Sequence, residues 1–322
     1  MPAAGRSTAS TDGRFLCSGT SWDAAGPSLA LHLPGGQREK QRLDPGTQLR
    51  FRVLADNAGN DKFCLGSWQV DDDGVQSHTP CPGQAPAERG YQCTGCFIRD
   101  EVRGIHNSHR ADRIPGALRR YLEQPHWLYV ATFADGSTKV GTAADGRKQL
   151  RLIEQGAVRA RYVARAGDGL VVRILEDAVT EVVGLQQAVR AGTKTAALAR
   201  PLPAADLDAR NAEAAESVRA MLADLAMTGF RTADEVWEPP AQFDTVLRTP
   251  CELYPCDPGS GEHGMVIQAV LGATALVRVD GEETVFAADL SRLKGRRLQY
   301  GPFRTAVPAL QAAVPALQAA LF

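Results

Sequence analysis

Two pairs of metal-ligand residues stand in a stretch that has few apolar side chains. The sequences His78-Thr-Pro-Cys81 and Cys93-Thr-Gly-Cys96 each place two ligands three positions apart, a spacing from which both side chains can reach one tetrahedral ion. Residues 69–96 are otherwise rich in Asp, Pro and Gly, so hydrophobic burial alone does not fix their structure. The sequence therefore predicts a structural zinc site in this stretch.

The sequence leaves the four ligands open. Cys64 competes with His78 for one position, and His106 with His109 forms a further pair. Since the candidates are mostly sulfur, we expect a closed structural centre rather than a catalytic zinc with an open position. The other cysteines are isolated and are assigned to the core or to loops: Cys17, Cys251 and Cys256.

The interpretation of the seven cysteines depends on whether the protein lies in a reducing or an oxidising compartment. No apolar run approaches the roughly 20 residues that a membrane helix needs, and residues 1–12 lack the apolar stretch of a secretory signal. We therefore expect a soluble cytoplasmic protein with no membrane partner, in which clustered thiols bind metal rather than form disulfides. The net charge of -1 excludes a global attraction to nucleic acid, so any such contact has to be local.

Alternating and helical hydrophobic patterns divide the chain into a β-rich start, a mixed middle and a β-rich end. The predicted strands of the two ends are 15–22, 29–33, 48–54, 266–270, 275–279 and 284–286. The middle is predicted to contain, in order, a helix at 115–124, strands at 127–133 and 138–140, a helix at 145–155, a strand at 157–164, and helices at 170–190 and 206–226. A heptad that occurs twice, at 306–319, contains prolines that disfavour a continuous helix, so a loose tail is expected.

Short motifs in the middle region occur in a characteristic order. They are Leu128-Tyr-Val, Lys139-Val-Gly, Arg151, Glu154-Gln-Gly-Ala and Glu176. In this order they resemble the GIY-YIG nuclease superfamily and, more closely, an uncharacterised bacterial and archaeal domain-of-unknown-function family with a zinc-ribbon-like N-terminal part and a GIY-YIG-like core. The resemblance covers about residues 125–200 for the core.

The resemblance implies a site as well as a fold. Tyr129 and residue 139 would lie on neighbouring strands, Arg151 on the first helix and Glu176 on the second, and in active relatives such residues activate water, stabilise phosphate charge and hold a divalent metal. The implied activity is phosphodiester cleavage with magnesium or manganese. Here Lys139 replaces the second tyrosine of the motif, and Leu128 replaces its first glycine.

Together these observations predict an α+β fold. It would comprise a small N-terminal β/zinc module, a GIY-YIG-like α/β core with a three-stranded antiparallel sheet and helices, and a small C-terminal β module. The predicted boundaries are 1–12 for a disordered start, 13–114 for the zinc-binding β module, 115–235 for the GIY-YIG-like domain, 236–304 for the C-terminal module and 305–322 for the tail.

Glu176 has two interpretations. Val172, Val179 and Val183 lie at helical neighbour spacings, so apolar groups would flank its carboxylate, which then needs a cation. A divalent metal or an ion pair with Arg151 would satisfy it equally well.

Between residues 99 and 120 six arginines outnumber three acids, a pattern that suits contact with a phosphate backbone but equally a solvated connecting face. The predicted nucleic-acid contacts are Arg99, Arg103, Arg119, Arg120 and Lys148. Three functions stay open: a metal-dependent nuclease, a non-catalytic nucleic-acid-binding protein, and a scaffold that binds a protein partner. The sequence distinguishes neither DNA from RNA nor one oligomeric state from another.

Overall fold

The computed structural model describes residues 13–306. The predicted start, 1–12, and the predicted tail from 307 onward lie outside these residues. The first part of the chain contains six strands and two short helices: β1 (Arg14–Asp23), β2 (Gly26–His32), β3 (Arg38–Arg42), β4 (Gln48–Leu54), β5 (Ser67–Val70), β6 (Gln76–Thr79), α1 (Thr94–Arg99) and α2 (Gly116–Leu122). A 3-10 turn, Ile105–Arg110, lies between the two helices.

The middle of the chain alternates strands and helices in the predicted order. Its elements are β7 (His126–Thr132), β8 (Thr138–Ala144), α3 (Lys148–Gln155), β9 (Arg159–Ala166), α4 (Gly169–Val183), α5 (Ala191–Ala197), α6 (Ala204–Ala223) and β10 (Phe230–Val236). The end of the chain contains α7 (Gln242–Arg248), β11 (Glu252–Leu253), β12 (Glu262–Leu271), β13 (Thr274–Val279), β14 (Val285–Asp289) and β15 (Arg297–Tyr300). The predicted α+β class is confirmed.

Local signals explain where the middle elements begin and end. The β7–β8 hairpin turns at Gly136, whose φ of 81° suits glycine, and α3 ends at Gly156 with a left-handed φ of 69°. The carboxylate of Asp168 accepts hydrogen bonds from the Leu170 and Val171 amides at the start of α4. Two predictions shift: α3 begins at Lys148 rather than at 145, after a 3-10 turn at Asp145–Arg147, and α4 stops at Val183 rather than continuing to 190, because Gly184 adopts the left-handed conformation.

Most strands of the two predicted β modules form one nine-stranded sheet, whereas β5 and β6 pair with each other in a separate two-stranded sheet. The order of the nine-stranded sheet is β11-β14-β13-β12-β4-β15-β1-β2-β3, so β4 pairs with β12 on one side and with β15 on the other. The pairs Leu49↔Met265 and Val53↔Leu298 join residues more than 200 positions apart. The sequence predicted two separate modules here because hydrophobic alternation identifies strands but not their partners.

A second sheet has the order β10-β9-β7-β8, one strand more than the three predicted. One of its faces packs on α4 and α6 through an apolar cluster that includes Val130, Val163, Val172 and Val218. Its other face, with Tyr129 and Tyr162, joins the large core that also contains the nine-stranded sheet. Among the described residues no helix has both the length and the apolar character needed to cross a bilayer.

The tip of the β12–β13 hairpin fixes the C-terminal end of α3. Gly272 has a φ of 60°, and a Cβ added there would lie 2.6 Å from the backbone nitrogen of Gly156. The indole nitrogen of Trp22 donates to the Gly272 carbonyl at 2.8 Å. Because backbone meets backbone at this contact, α3 is held directly against the nine-stranded sheet.

This contact predicts the effect of one added methyl group. Gly272→Ala should lower the free energy of unfolding by about 2–3 kcal/mol, because the new Cβ overlaps the backbone at Gly156. Gly281→Ala is the control, since Gly281 also has positive φ (84°) but no neighbouring atom within 4 Å, and it should cost only the left-handed strain of about 1 kcal/mol. Urea unfolding measures both, and equal losses would show that the contact is not tight.

Candidate functional site

Four cysteines form a compact cluster in the first part of the chain. The Sγ atoms of Cys64, Cys81, Cys93 and Cys96 all lie within 4.8 Å of one another. Four thiolates about 2.3 Å from a tetrahedral zinc would stand about 3.8 Å apart, so only a small contraction is needed. The cysteines of the described chain are free thiols. The donor set therefore fits a metal ion such as zinc.

Turns of the backbone bring these cysteines together. Cys81 lies just beyond β6, and Cys93 and Cys96 stand at the start of α1. The amide of Cys64 donates to the Ala85 carbonyl at 2.7 Å. Gly66 lies so close to β6 that a Cβ there would be 1.9 Å from the Thr79 carbonyl oxygen. The close approach of the two loops thus depends on glycine.

The thiols differ in how readily they lose a proton. Burial raises the pKa of Cys64 and of Cys96. Burial opposes ionisation of Cys93 as well, but the Cys96 amide and the neighbouring thiols outweigh it and lower the pKa of Cys93. A cluster that stabilises one thiolate with three further sulfurs is chemically suited to a cation, because the thiolate is the form that binds metal.

His78, one of the five predicted zinc ligands, lies outside the cluster. Its ring stacks on His32 with centroids 5.4 Å apart and contacts Trp68 at 4.9 Å. Burial, helped by His32, lowers the pKa of His78 to about 4. Cys64 and His78 are alternative predictions for one ligand position, and the structure places Cys64 with the other cysteines. The alternative pair is also separate, since the Nε2 atom of His109 lies 2.7 Å from the Asp177 carboxylate.

Tyr129, from the first nuclease-like motif, is fully buried in β7. Its hydroxyl accepts a hydrogen bond from the Gln155 amide nitrogen at 2.8 Å. A Cβ at Gly141 would lie 2.6 Å from the same hydroxyl oxygen, so the motif glycine leaves room for the phenol. Burial raises the pKa of Tyr129. The phenol is therefore neutral at physiological pH.

Lys139 occupies the neighbouring strand, β8, and only 7% of it is exposed. Its ammonium lies 5.9 Å from the centre of the Tyr129 ring and donates to the Gln187 carbonyl at 3.1 Å. The segment that follows α4 runs beside β8, where the Val140 amide donates to the Gln186 carbonyl. Burial, and then the nearby charges of Arg151 and Lys194, lower the pKa of Lys139 to about 8.

Arg151 and Glu176 lie on α3 and α4 near this lysine. Arg151 is half-buried, and in the described chain no carboxylate lies within 4 Å of it. Glu176 is 4% exposed and accepts a hydrogen bond from the Arg173 guanidinium at 2.6 Å. Glu176 thus pairs with Arg173 and not with Arg151, while the divalent metal considered from the sequence stays a prediction. The carboxylate of Glu176 still acts on Lys139, whose pKa it raises.

The sequence analysis missed two basic residues of this region. Arg173 stands three positions before Glu176, a helical spacing from which the ion pair was recognisable. Lys194 comes from α5, donates to the Gln155 carbonyl at 2.9 Å and lies 4.2 Å from the centre of the Phe133 ring. Burial, and then Arg151, lower the pKa of Lys194 to about 8. We call Lys139, Arg151, Arg173 and Lys194 the basic cluster.

The five predicted nucleic-acid contacts have different environments. Arg99, Arg103 and Arg119 are exposed, whereas Arg120 donates to the Asp71 carbonyl at 3.0 Å. The Lys148 ammonium lies 3.5 Å from the centre of the Trp127 ring and 2.6 Å from a Glu235 oxygen. Lys148 therefore holds the start of α3 in place, and its charge is already compensated.

Two cavities lie away from the basic cluster. The larger, of about 540 Å³, is lined by residues that include Arg14, Asp56 and Arg297, and the smaller, of about 350 Å³, by Arg165 and Arg231 among others. Neither is lined by a residue predicted from the nuclease-like motifs.

One comparison with known proteins gave a match. The model of a family described as "Protein of unknown function (DUF2797)" matches residues 84–239. This range contains two of the four clustered cysteines, the whole four-stranded sheet and every member of the basic cluster. No curated protein and no solved structure gives a significant match. The chain thus matches, over residues 84–239, the model of a protein family of unknown function.

Proposed function

We propose that this protein binds nucleic acid through phosphate contacts at the basic cluster, within a GIY-YIG-like domain that a zinc centre accompanies. The observation that carries the proposal is an imbalance of charge. Within the part of the chain that the structure describes, Glu176 is the one carboxylate that acts on Lys139 among these four basic side chains, and it is engaged by Arg173. Partly buried cations without counter-charges favour a bound anion.

The partners of the other cations strengthen this argument. Lys139 and Lys194 donate to main-chain carbonyls, which carry no net charge. Within residues 13–306, neither these lysines nor Arg151 lies within 4 Å of a carboxylate. Arginine and lysine together suit phosphate, because a guanidinium offers a planar fork of donors and an ammonium a compact charge.

We choose nucleic acid over other phosphate-containing ligands because of the likeness to the GIY-YIG superfamily. The motif residues Tyr129, Arg151 and Glu176 stand on the strand and helices that the likeness implies. The exposed arginines of the first part of the chain, among them Arg99 and Arg103, would extend the contact along a backbone. The cysteine cluster would hold zinc and keep this part folded.

The same geometry favours binding over metal-dependent cleavage. A divalent ion at Glu176 would have to displace Arg173 and enter a region where cations already outnumber the carboxylate. Lys139 stands where the superfamily has its second tyrosine, which removes one of the phenols used to activate water. We therefore favour the non-catalytic nucleic-acid-binding alternative over the nuclease.

Replacing Arg151 tests this proposal. Arg151→Gln should weaken binding of a fluorescent oligonucleotide at least about tenfold at moderate salt and reduce the salt dependence of the binding constant by about one ion. Arg278→Gln is the control, because Arg278 is exposed on β13 and has no salt bridge in the described chain. Fluorescence anisotropy over a sodium chloride series measures both variants. Equal affinity of the two would refute the proposal.

A cleavage assay separates binding from catalysis. Wild-type protein with magnesium or manganese should leave single- and double-stranded DNA and RNA intact over hours, while it binds at least one of them. Cleavage that EDTA abolishes and that Glu176→Gln removes would establish the nuclease instead.

A further inference from the structure

The basic cluster carries more charge than a single backbone phosphate can neutralise. Lys139, Arg151, Arg173 and Lys194 bring four positive charges, and Glu176 brings one negative charge. An internal phosphodiester carries one negative charge, whereas a phosphate monoester carries about 1.5 to 2 at neutral pH. In a half-buried site the mismatch matters, since each uncompensated charge is poorly solvated.

Gln155 lies between the two lysines of the basic cluster. The main-chain carbonyl of Gln155 accepts a hydrogen bond from the Lys194 ammonium, and its side-chain nitrogen donates one to the Tyr129 hydroxyl. The Lys139 ammonium lies beside the ring of the same tyrosine. Arg151 precedes Gln155 by one helical turn on α3 and therefore projects from the same face. The two lysines and this arginine thus converge although they come from three different elements.

One atom of the Gln155 side-chain amide makes no hydrogen bond within the described structure. Its Oε1 atom is buried and has no hydrogen-bond partner. Rotation of the amide would let its oxygen accept a hydrogen bond from the Tyr129 hydroxyl and would place its NH2 group, a donor, where the unpartnered oxygen now lies. A buried polar atom of this kind is satisfied by a water or by a polar group of a ligand, and here it belongs to the residue whose main-chain carbonyl holds Lys194.

The chain also covers one side of the cluster. The segment between α4 and α5 pairs with β8 at Lys139, and Lys139 donates to a carbonyl of this segment. Tyr129 and Lys139 form the buried floor, and the other three cations are partly exposed. A site with a buried floor and a covered side suits the end of a strand better than a backbone that must enter and leave.

We infer that the basic cluster is a receptor for a terminal phosphate monoester of a nucleic acid, with Lys194 as a phosphate ligand that the nuclease-like motifs do not include. This inference rests on the proposed function and narrows its ligand. Arg151 and Arg173 form the entrance, Lys139 and Lys194 neutralise the second negative charge, and Gln155 supplies a neutral donor. Internal phosphates contact only the entrance arginines of the cluster and bind more weakly.

The test compares oligonucleotides that differ only at their ends. One 12-nucleotide sequence is prepared with a 5′-phosphate, with a 3′-phosphate and with hydroxyls at both ends, and binding is measured by fluorescence anisotropy without divalent metal. Wild-type protein should bind one phosphorylated form at least about tenfold more tightly than the hydroxyl form, since a second charge-assisted contact is gained. This comparison needs no variant and is independent of any effect on folding.

Lysine variants then assign the preference to the cluster. Lys194→Met should bring the ratio of affinities close to one, because it removes the contact with the second negative charge. Lys294→Met is the control, since Lys294 is an exposed lysine whose ammonium, like that of Lys194, lies over an aromatic ring, that of Tyr91 at 4.8 Å. It should keep the wild-type ratio.

The outcomes separate this inference from the proposed function. Equal, salt-sensitive binding of all three oligonucleotides by wild type would overturn the terminal-phosphate receptor and leave nucleic-acid binding in place. An end preference that persists in Lys194→Met would overturn the role of Lys194. Failure to bind any of the three would overturn both the receptor and the proposed function.

Discussion

Cys93→Ser is expected to abolish metal binding and to unfold the part of the chain around the cysteine cluster. Among the described residues, a small apolar cluster of Leu16, Phe63 and Leu65 packs beside the thiols in this part. Structural zinc contributes about 10–16 kcal/mol of apparent binding free energy in small domains, far more than such a core can replace. The zinc content of the purified protein, measured by mass spectrometry, should fall from about one ion per chain to none.

The control for this variant is another cysteine. Cys251→Ser should retain the metal, because Cys251 lies outside the cluster and its thiol donates to the Leu198 carbonyl. Proteolysis should cut Cys93→Ser between β4 and α2 and spare Cys251→Ser. A wild-type protein that takes up no zinc under reducing conditions, or a Cys93→Ser protein that keeps it, would show that the thiols form an ordinary packed cluster.

Glu176→Gln is expected to lower the free energy of unfolding at pH 7 by about 3–5 kcal/mol, the range for breaking a buried ion pair. Arg173 loses its carboxylate partner, and the basic cluster loses the one negative charge that residues 13–306 place against the mutual repulsion of its cations. The double variant Glu176→Gln with Lys139→Met should recover at least half of the loss, because one of the repelling cations is removed as well. Urea unfolding of the two single variants and the double variant gives the coupling energy.

The pH dependence of these variants has a definite sign. The pKa values of Lys139 and Lys194 fall to about 8 in the folded protein, below the ordinary lysine value of 10.5. Between these values the unfolded chain binds more protons than the folded one, so stability rises with pH. The increase in the free energy of unfolding between pH 8 and pH 10.5 should be largest in Glu176→Gln and smaller in the double variant with Lys139→Met. A stability loss that is the same at pH 7 and pH 9.5, and that Lys139→Met does not relieve, would contradict this account.

The sequence by itself determined the local elements. The alternation of apolar residues located β1, β4 and β7, and glycine fixed both the β7–β8 turn and the end of α3. The ligand spacing located three of the four clustered cysteines and left Cys64 as a stated rival. These signals succeed because turn, cap and strand preferences act among residues only a few positions apart.

Only the tertiary structure decided which distant segments meet. It joined β4 to β12 and β15, chose Cys64 over His78, and brought Lys194 of α5 to the Lys139 of β8. None of these contacts has a local signature. Strand partners and charge clusters are selected by the packing of the whole core, whose free energy is shared among side chains hundreds of positions apart in the chain.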